Sequence, residues 1–370
     1  MVVADTAVSA NLVREALRRP QSLQTLSLPC WDVLVRQARR AGLLARIGCM
    51  LEAQGSIDTV PEAPRAHLTA AMLLAEARHE EAMREVVCIG DALALTGVVP
   101  VLLQGAAYVA AGLLPAMGQV FTDIDILVPK FRLAEVEVAL TSHGWATTRD
   151  SAYDQRSYRE SMHGLPPLRH IRRGAVLNVN HAILPETARL KPSSAKLLAS
   201  ARPVAASQRF AVLGHADMVL HGMAHLFHND DLSHSLRDLS DLDLLLRHLG
   251  RVPGFWAALV NRAGELDLAR PLYHGLRYTT LVLATPVPRE TLDAASAGGP
   301  GRWLAALNDQ LWARALRPHH QTASDTWTPL ALFALYVRAH WLRMPPLMLL
   351  RHLTVKALRL HENLPATANP

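Results

Sequence analysis

Within the segment Phe121-Thr-Asp-Ile-Asp-Ile-Leu-Val128, residues Asp123–Ile126 alternate strictly between polar and apolar. A β-strand sends successive side chains to opposite faces, so Asp123 and Asp125 share one face while Ile124, Ile126 and Val128 share the other. The apolar face demands cover, so the strand must belong to a sheet packed on at least one side. The acidic face carries two carboxylates two residues apart, close enough to share a divalent cation without distorting the backbone. Mg²⁺ suits such a pair, because it takes hard oxygen ligands and is often held by one or two carboxylates plus substrate phosphates. Upstream, the apolar run Val101-Leu-Leu-Gln-Gly-Ala-Ala-Tyr108 reaches Gly105, where a helix can begin. A small-residue turn at a helix N-terminus favours phosphate. The order is therefore strand, glycine turn, helix, acidic strand.

Most of the remaining chain has helical spacing. Residues 1–97 are expected to be helical throughout, most clearly over Ala66–Thr96, where Leu68, Met72, Ala75, Ala82, Met83, Val86, Ile89 and Leu93 form a broad stripe. After Gly97 come a strand-like run at Val98–Leu103, a helix over Ala106–Leu114, a break at Pro115 and the acidic strand. Leu133–His143 reads as an amphipathic helix stopped by Gly144. Trp145–Leu184 alternates enough for two or three further strands, one of them Ala175–Ala182 with Asn178 and Asn180 on one face. Pro185, Pro192 and Pro203 mark a linker-like connection, and the chain is helical again from Asp217. The expected organisation is a helical region at 1–97, a sheet-bearing core at 98–190 and a helical region at 191–370. The fold class is α+β, predominantly helical, with one small mixed sheet.

With 370 residues, half of them apolar and 19% charged, the chain can bury a sizeable core and is not a disordered sequence. The net charge of +6 suits an anionic partner. It permits nucleic acid, but no aromatic interleaving argues for it. Cys30, Cys49 and Cys88 lack CxxC spacing and read as free thiols of a reducing compartment. With no basic-then-apolar start and no apolar run near 18 residues, a cytoplasmic protein without a membrane partner is expected. The basic, apolar stretch Leu330–Leu360 reads as an amphipathic helix pair packed on the core.

Two helical motifs carry other chemistry. His221, His225 and His228 fall on one helical face, followed by Asp230, Asp231 and His234. This spacing suits a metal-dependent hydrolase, or simply buried histidines. Leu236-Arg-Asp-Leu-Ser-Asp-Leu-Asp243 places Asp238 and Asp241 near Arg237, as an ion network would. Arg156, Arg159, Arg169, His170, Arg172 and Arg173 form a basic cluster.

The chain resembles the uncharacterised bacterial nucleotidyltransferases of the polymerase-β-like superfamily. The resemblance rests on Gln104-Gly105-Ala106 followed by Asp123-Ile-Asp125-Ile-Leu-Val. It extends through Tyr153-Asp-Gln-Arg156, Met162–His170, His221–His228, Leu236–Asp243 and Arg343-Met-Pro-Pro346. It implies a small mixed sheet packed by helices, with an NTP, first of all ATP, lying over the acidic strand. Asp123 and Asp125 would then be catalytic and hold Mg²⁺ or Mn²⁺. Gln104, Gly105, Ala106 and Gln119 would lie along the nucleotide, and Asn178 would occupy the third catalytic position. The implied reaction moves an NMP to a hydroxyl on a small-molecule, peptide or protein acceptor, by positioning and charge neutralisation.

Four positions depart from the family pattern. Gln104 replaces a usual Lys, Gln119 a usual Arg, Asn178 the third carboxylate and Asn180 a usual His. Each keeps polarity and deletes a charge or titratable group, and each lost electrostatic partner costs roughly 10²–10³ in rate if oxyanion contacts are a guide. Arg169 or His163 would restore phosphate contacts if their loop faces the acidic strand. The alternative is a catalytically impaired relative that serves as a nucleotide- or partner-binding scaffold.

Overall fold

A computed structural model describes residues 12–148, 163–204 and 207–343. The N-terminal helices are α1 (Leu12–Arg18), α2 (Leu28–Arg40), α3 (Leu44–Ala53) and the long α4 (Glu62–Leu93). Then follow β1 (Val101–Leu103), α5 (Gln104–Ala110), β2 (Asp123–Leu127), α6 (Leu133–Ser142), β3 (Trp145–Thr147), β4 (Leu168–His170) and β5 (Val176–Asn180). After α7 (Ser194–Ala199) come β6 (Arg202–Val204) and β7 (Ser207–Val212). The chain continues through α8 (His215–His228), α9 (Ser235–Leu249), α10 (Phe255–Glu265), α11 (Ala269–Leu283), α12 (Arg289–Ser296), α13 (Arg302–Ala315) and α14 (Thr328–Arg343). The fold is α+β and predominantly helical, as expected. Among the described residues, no helix is long and apolar enough to cross a membrane.

The strands form one mixed sheet in the order β3-β4-β5-β2-β1-β7-β6. The acidic strand lies at its centre, antiparallel to β1 and parallel to β5. Ile124 and Ile126 are buried, as alternation requires. Val136 and Leu140 of α6 are buried in the same apolar cluster, which extends from Leu12 in α1 to Leu335 in α14. The helical ends and the sheet therefore share one core.

Two expectations need correction. The helix after β1 starts at Gln104 and ends at Ala110, four residues short, because Gly112 turns the chain at φ +61°. The proline-marked connection is not a plain linker, since it contains α7 and leads into β6 and β7. Pro203 is tolerated because β6 is the last strand of the sheet, where a missing N–H breaks no inner ladder. The sheet consequently continues past residue 190.

A buried ion pair ties the helical ends to the centre. Arg46 of α3 is 1% exposed, and its Nη2 lies 2.7 Å from Oδ1 of Asp241 on α9. The same guanidinium donates to Ser240 Oγ and to the carbonyl oxygens of Pro115 and Met117, in the turn before β2. Asp241 Oδ2 also accepts from Gln119 Nε2 at 2.7 Å. Gly118 completes the arrangement with φ +63°; a Cβ there would lie 2.4 Å from the Arg46 backbone nitrogen. Only glycine satisfies both the backbone angle and the close approach.

Removing one partner of a buried pair strands the other charge, so Arg46→Ala should lose about 3–5 kcal/mol in denaturant unfolding. Replacing both members, Arg46→Met with Asp241→Leu, should recover most of that loss, and an equally unstable double variant would contradict this account. A second expectation concerns acid. Burial pushes His163 and His228 down to about 4 and His221 to about 3, so these rings fold neutral. Their folded pKa values lie below the unfolded value of about 6.5, so their contribution is complete above that pH. It is lost as pH falls from there towards 4. Thermal melts across this window should show a falling Tm, and a flat profile would contradict the buried neutral state.

Candidate active site

The site begins with local strand geometry. Leu103 at the end of β1 pairs with Asp125, and Asp125 pairs on its other side with Asn178 of β5. Alternation puts Asp123 on the same face as Asp125. The structure thus brings together the three residues expected to be catalytic. Asn178 Nδ2 donates to Asp123 Oδ2 at 2.8 Å, which fixes that carboxylate from the side.

Asp125 is pushed up to about 7, first by burial and then by the neighbouring Asp123 charge. Hydrogen bonds from Asn178 and Asn180 work the other way without overcoming these effects. A carboxylate held beside a second one resists ionisation, and a divalent cation bound to the two would remove that cost. The donor set therefore fits Mg²⁺ or Mn²⁺, with two protein carboxylates and the remaining positions left to water and phosphate oxygens. Among the described residues, no group of three or more His, Cys, Asp or Glu side chains is arranged to hold a metal. A zinc-type centre on the histidine helix accordingly has no ligand set there.

The pair lies on the wall of a cleft of about 530 Å³. Gln104 and Gly105 line it from the start of α5, and His225, Arg237, Asp238 and Asp241 line it from α8 and α9. Gln104 has φ +47°, a conformation seldom adopted by side-chain-bearing residues. Such strain clusters at functional sites because the surrounding structure must enforce it. Arg237 donates to Asp238 Oδ1 at 3.0 and 3.1 Å. Burial opposes its charge, but Asp238 and Asp241 more than compensate and hold its pKa above the ordinary range. Burial lowers His225, although Asp238 and Asp123 both favour its protonation.

The other expected nucleotide-contacting residues divide. Gln119 lines the cleft, but its amide nitrogen is committed to Asp241, so it serves the Arg46 network as well. Gly105 is a glycine for a packing reason, because a Cβ would meet the Phe121 ring at 2.6 Å. Ala106 is buried in the hydrophobic core rather than in the cleft wall. Arg169 lies in a neighbouring chamber of about 210 Å³ that also reaches Asp123. His163 is no substitute cation, since burial lowers its pKa to about 4. Arg156, Arg159, the segment Tyr153–Arg156, Met162 and the chain after Arg343 lie outside the described residues.

Sequence reasoning did not find Arg46, Phe121 or the cleft-facing role of His225. Arg46 had one available signal, a lone cation within the apolar helix Leu44-Ala-Arg-Ile-Gly. Phe121 had none, because its ring matters through contacts with Gly105 and with His79, stacked at 5.9 Å between centroids.

A family model described as uncharacterised nucleotidyltransferase matches residues 29–284. The match runs from α2 to the end of α11 and includes both walls of the cleft. Comparison with curated proteins and with solved structures gave no match. With more than half its length matched, and with an acidic pair opening on a cleft, the chain belongs to the uncharacterised nucleotidyltransferase family.

Proposed function

We propose that this protein transfers an NMP from an NTP, with ATP the first candidate, to an acceptor hydroxyl with the help of Mg²⁺ or Mn²⁺. The observation that carries this reading is the placement of Asp123 and Asp125 side by side on a cleft of nucleotide-accommodating size. The cation, when held by these two carboxylates, would neutralise phosphate charge and favour departure of pyrophosphate. Asn178 holds Asp123 in place by its amide, and Gln104 offers the phosphates a neutral donor instead of a cation. Arg237 brings positive charge to the opposite wall, tempered by Asp238. In the reaction the acceptor oxygen bonds to the α-phosphorus, the bond from that phosphorus to the bridging oxygen breaks, and the hydroxyl proton passes to water. Positioning supplies most of the acceleration in such chemistry.

The Asn178–Asp123 hydrogen bond also favours a second reading, in which the chain binds nucleotide as a scaffold and turns it over poorly. An amide at that position contributes neither the charge for a second cation nor a base for the acceptor proton.

Calorimetric titration with a non-hydrolysable ATP analogue should show Mg²⁺-dependent binding that Asp123→Ala abolishes. Binding to no NTP under any condition would refute nucleotidyl transfer. The two readings separate in the Gln104→Lys, Asn178→Asp double variant. If missing charge alone limits the wild type, pyrophosphate release from ATP should rise by at least the roughly 10²–10³ of one restored charge. An unchanged rate with nucleotide still bound would favour the scaffold.

A further inference from the structure

The chamber beside the cleft has features that nucleotide binding does not use. It meets the cleft at Phe121, Thr122 and Asp123, which line both spaces. Its other walls come from α4 and from the turn between β4 and β5. The strand order sets β1, with the Gln104–Gly105 turn, on one side of β2, and β5 with β4 on the other. The two spaces therefore approach Asp123 from different sides. An in-line transfer needs that arrangement, because the attacking oxygen and the leaving pyrophosphate lie on opposite sides of the phosphorus.

The chamber is chemically built. Arg78, Arg169 and Arg173 line it together with Glu81 and Glu85. Arg173 Nε donates to Glu85 Oε1, and Arg78 pairs with Glu81 at 2.6 Å. Arg169 spends its Nε on the carbonyl oxygen of Gly174 at 3.2 Å and has no carboxylate partner among the described residues. Glu85 is 6% exposed, yet its Oε2 has no hydrogen-bond partner among the described residues. A buried carboxylate oxygen left without a donor costs free energy, so its retention in a cavity wall points to a donor from a ligand. The chamber combines a guanidinium for an anion and a carboxylate oxygen for a hydroxyl, within reach of Asp123.

The geometry points to this chamber as the acceptor subsite, and to the acceptor as a small hydroxyl-bearing anion such as a phosphate ester. This assignment rests on the nucleotidyltransferase reading given above. The anionic group lies against Arg169, with Arg78 and Arg173 contributing charge, and a hydroxyl donates to Glu85 Oε2. A second hydroxyl faces Asp123. Its oxygen bonds to the α-phosphorus of the NTP, pyrophosphate leaves with the electron pair of the broken P–O bond, and the proton passes to water. Glu85 is a binding residue here and takes no proton.

The test is calorimetric titration of the full chain with inorganic phosphate and with glycerol 3-phosphate, alongside a non-hydrolysable ATP analogue with Mg²⁺. Glycerol 3-phosphate should bind more tightly than inorganic phosphate, because only it brings hydroxyls to Glu85. Arg169→Ala should weaken both anions about tenfold, the effect of one charge-assisted hydrogen bond. Glu85→Gln should remove the preference for glycerol 3-phosphate. Since Glu85 is buried and paired, Arg78→Ala on the exposed side of α4 supplies a variant that leaves the core untouched, and it too should weaken both anions. The ATP analogue should bind all three variants as it binds the wild type. If the analogue binds while neither anion does, or if anion binding ignores Arg169→Ala, the acceptor subsite is refuted and nucleotidyl transfer stands. If the analogue does not bind the wild type, nucleotidyl transfer is refuted and the acceptor role falls with it.

Discussion

The pairing of Arg46 with Asp241 joins segments from three parts of the chain. Its cation comes from an N-terminal helix and its anion from a C-terminal helix, while the turn that leads into the acidic strand wraps around both. Burying these charges is expensive, and burial, with the neighbouring Asp238 charge adding to it, pushes Asp241 up to about 6 despite Arg46 and Arg237 nearby. The return is positional. Carbonyls of Pro115 and Met117 are held by the guanidinium, Gly118 passes against the Arg46 backbone, and Gln119 reaches Asp241. The turn can then deliver Asp123 to the start of β2 in one register. Asp241 also lines the cleft, so the wall facing the dyad is set by the same contact.

Neutral amides crowd the acidic pair. Glutamines at 104 and 119 and asparagines at 178 and 180 surround the two aspartates, and three of them hydrogen-bond buried carboxylates, Asn180 to Asp125 among them. Asn178 braces Asp123, and Gln119 gives Asp241 a second hydrogen bond without adding a second cation beside Arg46. Gln104 keeps a left-handed backbone that glycine would adopt more easily. These neutral residues do not act as loose replacements. They belong to a site in which hydrogen bonding holds what charge pairing would otherwise hold. If the proposed transfer takes place here, neutral donors stabilise its transition state less than charged ones would.

Some of this was legible in the sequence, and the reasons are physical. The strand β2 declared itself because polar and apolar residues alternate over Asp123–Ile126 and a central strand needs one fully apolar face. The long helix α4 was legible from its apolar stripe, and alternation put Asp123 and Asp125 on one face, whereas Asn178 was set beside them by the family resemblance and not by pattern. The strands β6 and β7 were not, because Pro203 signals a break unless the strand is known to lie at an edge. Arg46 could not be read as an anchor because its partners lie far along the chain, although its place as a lone cation in an apolar helix marked it for burial. Ala106 was assigned to the nucleotide through its place in a motif, whereas helix phase turns it into the core. Local pattern therefore gave the floor of the site, and tertiary contacts decided its walls.

The central claim is that Asp123 and Asp125 hold a divalent cation beneath a nucleotide. Its most direct test is a crystal structure grown with Mn²⁺ and a non-hydrolysable ATP analogue, with data collected to reveal the anomalous signal of manganese. If Asp123 and Asp125 hold the cation, an anomalous peak lies at the two carboxylates, with the nucleotide phosphates beside it in the cleft. Nucleotide bound elsewhere, or a cleft without manganese at saturating concentrations, would contradict it.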